Sequence, residues 1–192
     1  MAIKTHTTAL VIIPPIDLWL PIQAIRQQHD RQVRRWMPHI TLIYPFRPRR
    51  EFAAVAEQFS VLCQAIQPFR IDLEEIRVFR HRRESSTLWL APQPKEPLVE
   101  LQTMLASTVP DCDDVTRHRE GFTPHLTLGQ VQGEAKMSAL QQALQDDWRP
   151  MSFSVCEVNL IWRSAPPDDV FRVGQTVRLA APQHSQVEDP VK

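Results

Sequence analysis

The sequence predicts an α+β fold of two lobes related by a pseudo-two-fold axis, and three observations predict it. Read along the chain, the elements run β-α-β-α-β-β and then α-β-α-β-β, strings that differ only in a leading strand. The pentad Pro38-His39-Ile40-Thr41-Leu42 returns as Pro124-His125-Leu126-Thr127-Leu128, at the same place in each string. The size and composition, 192 residues with 43% hydrophobic and 23% charged side chains, suit one globular domain with a real core.

Each element has its own signal. Thr8 to Ile13 reads as a strand, stopped by Pro14-Pro15. Ile16, Trp19, Leu20, Ile22 and Ile25 predict a helix to about Gln28, its start delayed by Pro21. His39 to Phe46 is the second strand. Arg50 to Ile66 is the clearest helix, because Phe52, Val55, Phe59, Leu62 and Ile66 recur at three- and four-residue steps. Phe69 to Phe79 alternates apolar and charged residues, as a half-buried strand does, and Thr87 to Leu90 is its hairpin partner. The order then recurs: a helix over Pro97 to Val109, a polar loop over Asp111 to Glu120, a strand over His125 to Val131 and a helix over Glu134 to Asp147. Phe153 to Trp162 and Val170 to Leu179 close the domain as a strand pair. Residues 1–181 are therefore expected as a single bilobal domain, with halves of about 8–92 and 95–181, and 182–192 as a disordered tail.

Charge and cysteine content narrow the function. Lys+Arg and Asp+Glu both number 22, so the net charge is zero, and the chain lacks the broad basic footprint of a duplex-DNA binder. Only Lys4, Lys95, Lys136 and Lys192 are Lys, and Arg clusters at 31–35, 47–50 and 77–83 leave room for a local basic groove. Cys63, Cys112 and Cys156 show neither a disulfide framework nor zinc spacing. With no signal peptide and no apolar run of membrane-spanning length, a soluble cytoplasmic monomer is expected.

The pentads carry the chemistry. In a strand, residues i and i+2 share a face, so His39 projects with Thr41, and His125 with Thr127, while the apolar partners enter the core. A two-fold then sets the two pairs facing each other across a central cleft. A bare His-x-Thr is weak, and His6-Thr7-Thr8 is a third instance that opens a strand with no counterpart. With the flanking Pro and apolar positions required, chance gives on the order of 0.01 per chain. Histidine titrates near neutrality, so one imidazole can take a proton from a nucleophile while the other gives one to a leaving group. In-line displacement at phosphorus needs such groups on opposite sides of the phosphorus atom. The two hydroxyls can donate to the non-bridging oxygens as charge builds there. Neither pentad holds a carboxylate or thiol, so no metal ligands are assigned and no cofactor is expected.

The paired motifs, the bilobal order and the length resemble the 2H phosphoesterase superfamily, which includes 2′-5′ RNA ligase-like proteins and RNA 2′,3′-cyclic phosphodiesterases. The resemblance spans about Thr7 to Ala181. It implies mostly antiparallel sheets flanked by helices, and His39, Thr41, His125 and Thr127 as catalytic residues. It also implies a metal-independent phosphodiesterase acting on a nucleotide 2′,3′-cyclic phosphate, a related 2′-5′ phosphodiester or a short RNA terminus. The alternative within this resemblance is a nucleotide- or RNA-end-binding module without turnover. After the first motif, Ile43-Tyr44-Pro45-Phe46-Arg47 lacks the Phe and Gly pattern of many such phosphodiesterases, which suggests a divergent branch.

Supporting residues are candidates by position alone. Tyr44, Phe46, Phe122 and Trp162 are aromatic side chains near the motif strands or the closing hairpin that a base could stack on. Tyr44 shares strand parity with Ile40 and Leu42 and is expected to point away from the histidines unless Pro45 breaks the pattern. Arg47, Arg119 and Arg163 are candidate phosphate contacts, and His118 near Glu120 reads as a solvated loop residue. Which histidine is acid and which is base is open at this point.

Overall fold

The computed structural model describes residues 3–117 and 121–181. Arg119, His118 and the expected tail at 182–192 lie outside them. Eight strands and four longer helices follow one another as β1 Thr8–Ile12, α1 Trp19–His29, β2 Ile40–Ile43, α2 Phe52–Cys63, β3 Phe69–Arg80, β4 Ser85–Gln93, α3 Glu96–Ser107, β5 Leu126–Gln132, α4 Glu134–Asp147, β6 Met151–Val155, β7 Glu157–Trp162 and β8 Arg172–Arg178. The strands form one eight-stranded sheet in the order β6-β3-β4-β5-β2-β1-β7-β8, antiparallel at every pairing. The antiparallel sheets expected of two lobes are joined as one, and its two halves meet where β2 pairs with β5. We call β1, β2, β7 and β8 the first lobe and the other four the second.

The closing strand expected over Phe153 to Trp162 is two strands. β6 pairs with β3 at one end of the sheet, and β7 pairs with β1 and β8 at the other. Only Cys156 separates them in sequence. Six strand steps in a flat sheet would span roughly 29 Å at about 4.8 Å each, far beyond the reach of one residue. The sheet must therefore curl until its ends approach, and that curl gives it a concave face.

The helices form where apolar spacing dictates. α2 buries Phe52, Val55, Ala56, Phe59 and Cys63. α3 buries Leu98, Leu101 and Leu105 along one face. α1 departs from expectation: Ile16 is 72% and Leu20 81% exposed, while Ile22 and Arg26 are the buried residues. One large cluster, including Leu10, Ile40, Leu42, Phe59, Leu126 and Leu128, makes the core. A smaller cluster of Ala9, Val11, Ile161 and Phe171 lies on the other side of the first lobe. No helix among the described residues is long and apolar enough to cross a membrane.

Candidate active site

The two pentads meet at the centre of the sheet. Ile40 pairs with Leu126 in antiparallel register. Continued by one residue each way, that register sets Thr41 against His125 and His39 against Thr127. Burial follows the alternation: Ile40, Leu42, Leu126 and Leu128 are fully buried, whereas His39, Thr41, His125 and Thr127 are partly accessible on the opposite face. The four polar side chains therefore form one diagonal quartet. Directly opposed residues of a ladder lie about 5 Å apart at Cβ, close enough to act on one phosphate.

The backbone treats the histidines alike. His39 Nδ1–H donates to the Met37 carbonyl at 2.7 Å, and His125 Nδ1–H to the Thr123 carbonyl at 2.8 Å. Each bond spans two residues back across the motif proline, and each favours the Nδ1–H tautomer. Nε2 is then the nitrogen turned away from the backbone, with its lone pair in the neutral ring.

Their surroundings differ. His39 stacks on Trp36, with ring centres 4.6 Å apart, and Trp36 stacks in turn on Phe171 at 3.8 Å. Burial is the main cause that lowers the His39 pKa to about 4; the bond to Met37 opposes it, and nearby Arg26 and His125 add to it. His125 meets Phe79 and Trp89 edge-on, at 5.1 and 5.9 Å. Phe79 and Trp89 stack on each other at 4.5 Å.

A cleft of about 640 Å³ opens over three of the quartet, Thr41, His125 and Thr127, and is lined besides by Tyr44, Phe79, Arg80, His81, Phe122 and Gln130 among others; His39 is not part of its lining. Tyr44 reaches it because of a bulge. Leu10 and Val11 are consecutive on β1, yet they pair with Ile43 and Thr41, so Leu42 is an extra residue. One extra residue flips the parity beyond it and turns Tyr44 to the cleft face. β5 repeats the device: Leu88 and Trp89 pair with Gly129 and Thr127, leaving Leu128 extra and bringing Gln130 to the cleft.

Behind the quartet stands a buried ion pair that sequence reading missed. Arg26 donates through Nε and Nη2 to Asp30 Oδ2 at 3.0 and 2.8 Å, and Nη2 also donates to the Trp36 carbonyl at 2.9 Å. Asp30 Oδ1 accepts from Gln130 Nε2 at 3.2 Å. One network so joins the Trp36 loop of the first lobe to β5 of the second. The only signal in the sequence was an Arg and an Asp four residues apart, which ordinarily marks a surface pair.

The other predicted residues divide. Phe122 lines the cleft. Arg163 lies near Tyr44, whose pKa burial raises and Arg163 lowers. Phe46 does not reach the site: it is fully buried in the core beside Phe52 and Phe59. Arg47 is spent on a bidentate ion pair with Asp111. Trp162 lies beneath the Arg49 guanidinium, 3.5 Å from its ring centre, and packs against the core. Among the described residues, no three His, Cys, Asp or Glu side chains gather as metal ligands.

A duplicated antiparallel sheet with one His-x-Thr motif on each of its two central strands is the architecture of a 2H phosphoesterase. The chain belongs to the 2′-5′ RNA ligase superfamily, whose family model matches residues 14–167. Among solved structures, E. coli LigT complexed with 3′-AMP is similar, with 21% identity and a TM-score of 0.57 over 93% of this chain and 100% of LigT. TT0787 of Thermus thermophilus is 17% identical with a TM-score of 0.63, covering 92% of this chain and 99% of its own. Usb1 of Kluyveromyces marxianus is 10% identical with a TM-score of 0.52, again over 92% and 99%. At these identities the likeness is one of fold. Further E. coli LigT structures hold phosphate, ATP and NADP+. A comparison with curated protein sequences gives no match.

Proposed function

We propose that the protein is a metal-independent phosphodiesterase that hydrolyses 2′,3′-cyclic phosphates or related 2′-5′ phosphodiesters of nucleotides or RNA ends. His39 and His125 are the acid–base pair, and Thr41 and Thr127 are the donors to the non-bridging oxygens. The observation that carries this reading is the matched pair of Nδ1–H bonds to Met37 and Thr123, which fixes both imidazoles in one tautomer on one face of the sheet. A positioned acid or base contributes about 10²–10⁴-fold to a rate. A hydroxyl donor aimed at the developing charge contributes about 10²–10³-fold. The nucleotides and phosphate held by E. coli LigT, a protein of this fold, are in keeping with such a ligand. Ligation would be the same displacement run in reverse, weak in water.

Turnover of the four 2′,3′-cyclic mononucleotides, in EDTA from pH 5 to 9, tests the reading beside His39→Ala and His125→Ala. The expected outcome is an EDTA-resistant rate that each substitution lowers by about 10²–10⁴-fold. Nucleotide binding without turnover, unaltered by either substitution, would make the protein a binding module instead.

A further inference from the structure

We infer that Arg26 and Asp30 are positioning residues for His39: through the Trp36 carbonyl on one side and Gln130 on the other, this buried pair ties the turn that aims His39 to the strand that carries the second motif. The inference rests on the acid–base role given to His39 and names the part of the fold that aims it.

The first observation is where Arg26 grips the chain. Its Nη2 donates to the Trp36 carbonyl at 2.9 Å. A peptide unit is planar, so that bond fixes the plane that ends at Met37 Cα. Two contacts orient the His39 ring, and they come from these two residues. Trp36 stacks on it at 4.6 Å, and the Met37 carbonyl accepts its Nδ1–H at 2.7 Å. Pro38 follows and has no N–H to add a backbone bond of its own.

The second observation is that Arg26 closes the loop between α1 and β2 from both ends. Asp30 ends α1, and its N–H donates to the Arg26 carbonyl at 2.7 Å. The chain then turns, with Val33 N–H on the Asp30 carbonyl at 3.1 Å and Trp36 N–H on the Gln32 carbonyl at 3.0 Å. Arg26 reaches Asp30 Oδ2 through Nε and Nη2, Trp36 through Nη2 and Gln23 Oε1 through Nη1. A guanidinium is a planar fork, so bonds on several sides fix its direction as well as its distance.

The third observation is the anchor in the other lobe. Asp30 Oδ1 accepts from Gln32 N–H at 2.9 Å and from Gln130 Nε2 at 3.2 Å. Gln130 Oε1 in turn accepts from Arg31 N–H at 3.1 Å. The Gln130 amide thus spends both its ends on the first-lobe loop. It stands three residues beyond Thr127 on β5. A displacement of β5 is passed through Asp30 and Arg26 to the peptide before Met37.

Burial separates aim from stability. Arg26 is 1% and Asp30 7% exposed. The cost of taking two charges out of water largely cancels their attraction, and uncharged residues of like volume often hold a fold as well. What such residues lack is direction, and direction is what the Trp36 carbonyl receives from Arg26.

The test compares the wild type with the double variant Arg26→Met/Asp30→Asn and with Arg26→Lys. The double variant removes both charges at similar volume and strands neither. Arg26→Lys keeps the charge and gives up the fork. The readouts are urea unfolding, kcat and KM for a 2′,3′-cyclic mononucleotide, and the ring nitrogen NMR shifts of His39 at about pH 8, where the neutral ring reports its tautomer. The double variant should stay folded and lower kcat by about 10–100-fold. Its KM should change by less than about threefold. The His39 ring should move from the Nδ1–H form towards a mixture of the two tautomers. Arg26→Lys should lower kcat by about tenfold and shift the ring part of the way. A folded double variant with wild-type kcat and ring shifts overturns the proposal, and so does a loss confined to KM. Should the double variant not fold, Arg26→Lys decides, and wild-type kcat and ring shifts there overturn it. If the wild type turns over no substrate, the phosphodiesterase reading itself fails and the ring shifts judge the positioning: a ring held as Nδ1–H in both variants overturns it.

Discussion

On the His39 half, the floor of the cleft face is Ala9, Val11 and Ile161, closed over by Trp36 and Phe171. At the equivalent ladder positions on the other half stand Thr87, Trp89 and Phe79, and there the space stays open. The pentads themselves are nearly identical, and so are the bulges that follow them. What was kept is the part that aims two imidazoles: the Pro-His turn, the Nδ1 bond and the apolar anchors at Ile40, Leu42, Leu126 and Leu128. What diverged is everything a substrate would touch next. The two histidines are alike in their backbone bonds and unlike in their neighbours, since the rings that bury His39 also lower its pKa.

The largest contrast to test lies behind the histidines. The helix before the first motif buries Arg26 and pairs it with Asp30, whose side chains are each only 2% exposed. The helix before the second buries Gln102, whose Nε2 has no hydrogen-bond partner among the described residues. Asp30→Ala strands the Arg26 charge and unhooks Gln130, and should cost about 3–5 kcal/mol in urea unfolding. Gln102→Met removes an unsatisfied amide at similar volume, and should cost under about 1.5 kcal/mol. Equal losses would mean that the Arg26 pair is no more than another packed side chain.

A smaller effect separates the bulges. Ile43 follows the bulge on β2, and Gly129 occupies the same place on β5. A Cβ at residue 129 would lie 2.5 Å from the His29 Cβ and 2.8 Å from its carbonyl carbon and oxygen, because the end of α1 crosses there. The helix backbone cannot yield cheaply, so Gly129→Ala should destabilise by about 1–3 kcal/mol and loosen the Asp30 to Gln130 link beside it. Thermal unfolding that matches the wild type would show that α1 can lift off β5.

The quartet was legible because it depends on local rules. Strand parity places His39 with Thr41 and His125 with Thr127 without knowledge of the fold, and helical spacing marked α2 and α4. What escaped depends on partners distant in sequence. Residues 153–162 are extended and apolar throughout, so nothing local reveals that Val155 and Glu157 serve opposite ends of the sheet. Tyr44 and Gln130 face the cleft through bulges at Leu42 and Leu128, and a bulge belongs to a pairing rather than to a residue. Phe46 and Arg47 were plausible by proximity to a motif strand, but the first fills the core and the second found Asp111.

The smallest effect concerns protons and belongs to His39. Buried beside Trp36, it titrates at about 4 in the folded protein, against about 6.5 for an unperturbed histidine. Between those values the unfolded chain binds a proton that the folded protein refuses, so stability present above pH 6.5 is lost as the pH falls towards 4. His39→Gln removes this group and should flatten the fall of the urea midpoint over that window. Carboxylates held down by arginine, as Asp111 is by its bond to Arg47, lose their contribution mainly below about pH 4, so the windows are separable. An unchanged slope in His39→Gln would place His39 in water rather than under Trp36. Trp36 would then lift from His39 in solution, and the two halves would differ less than their packing indicates.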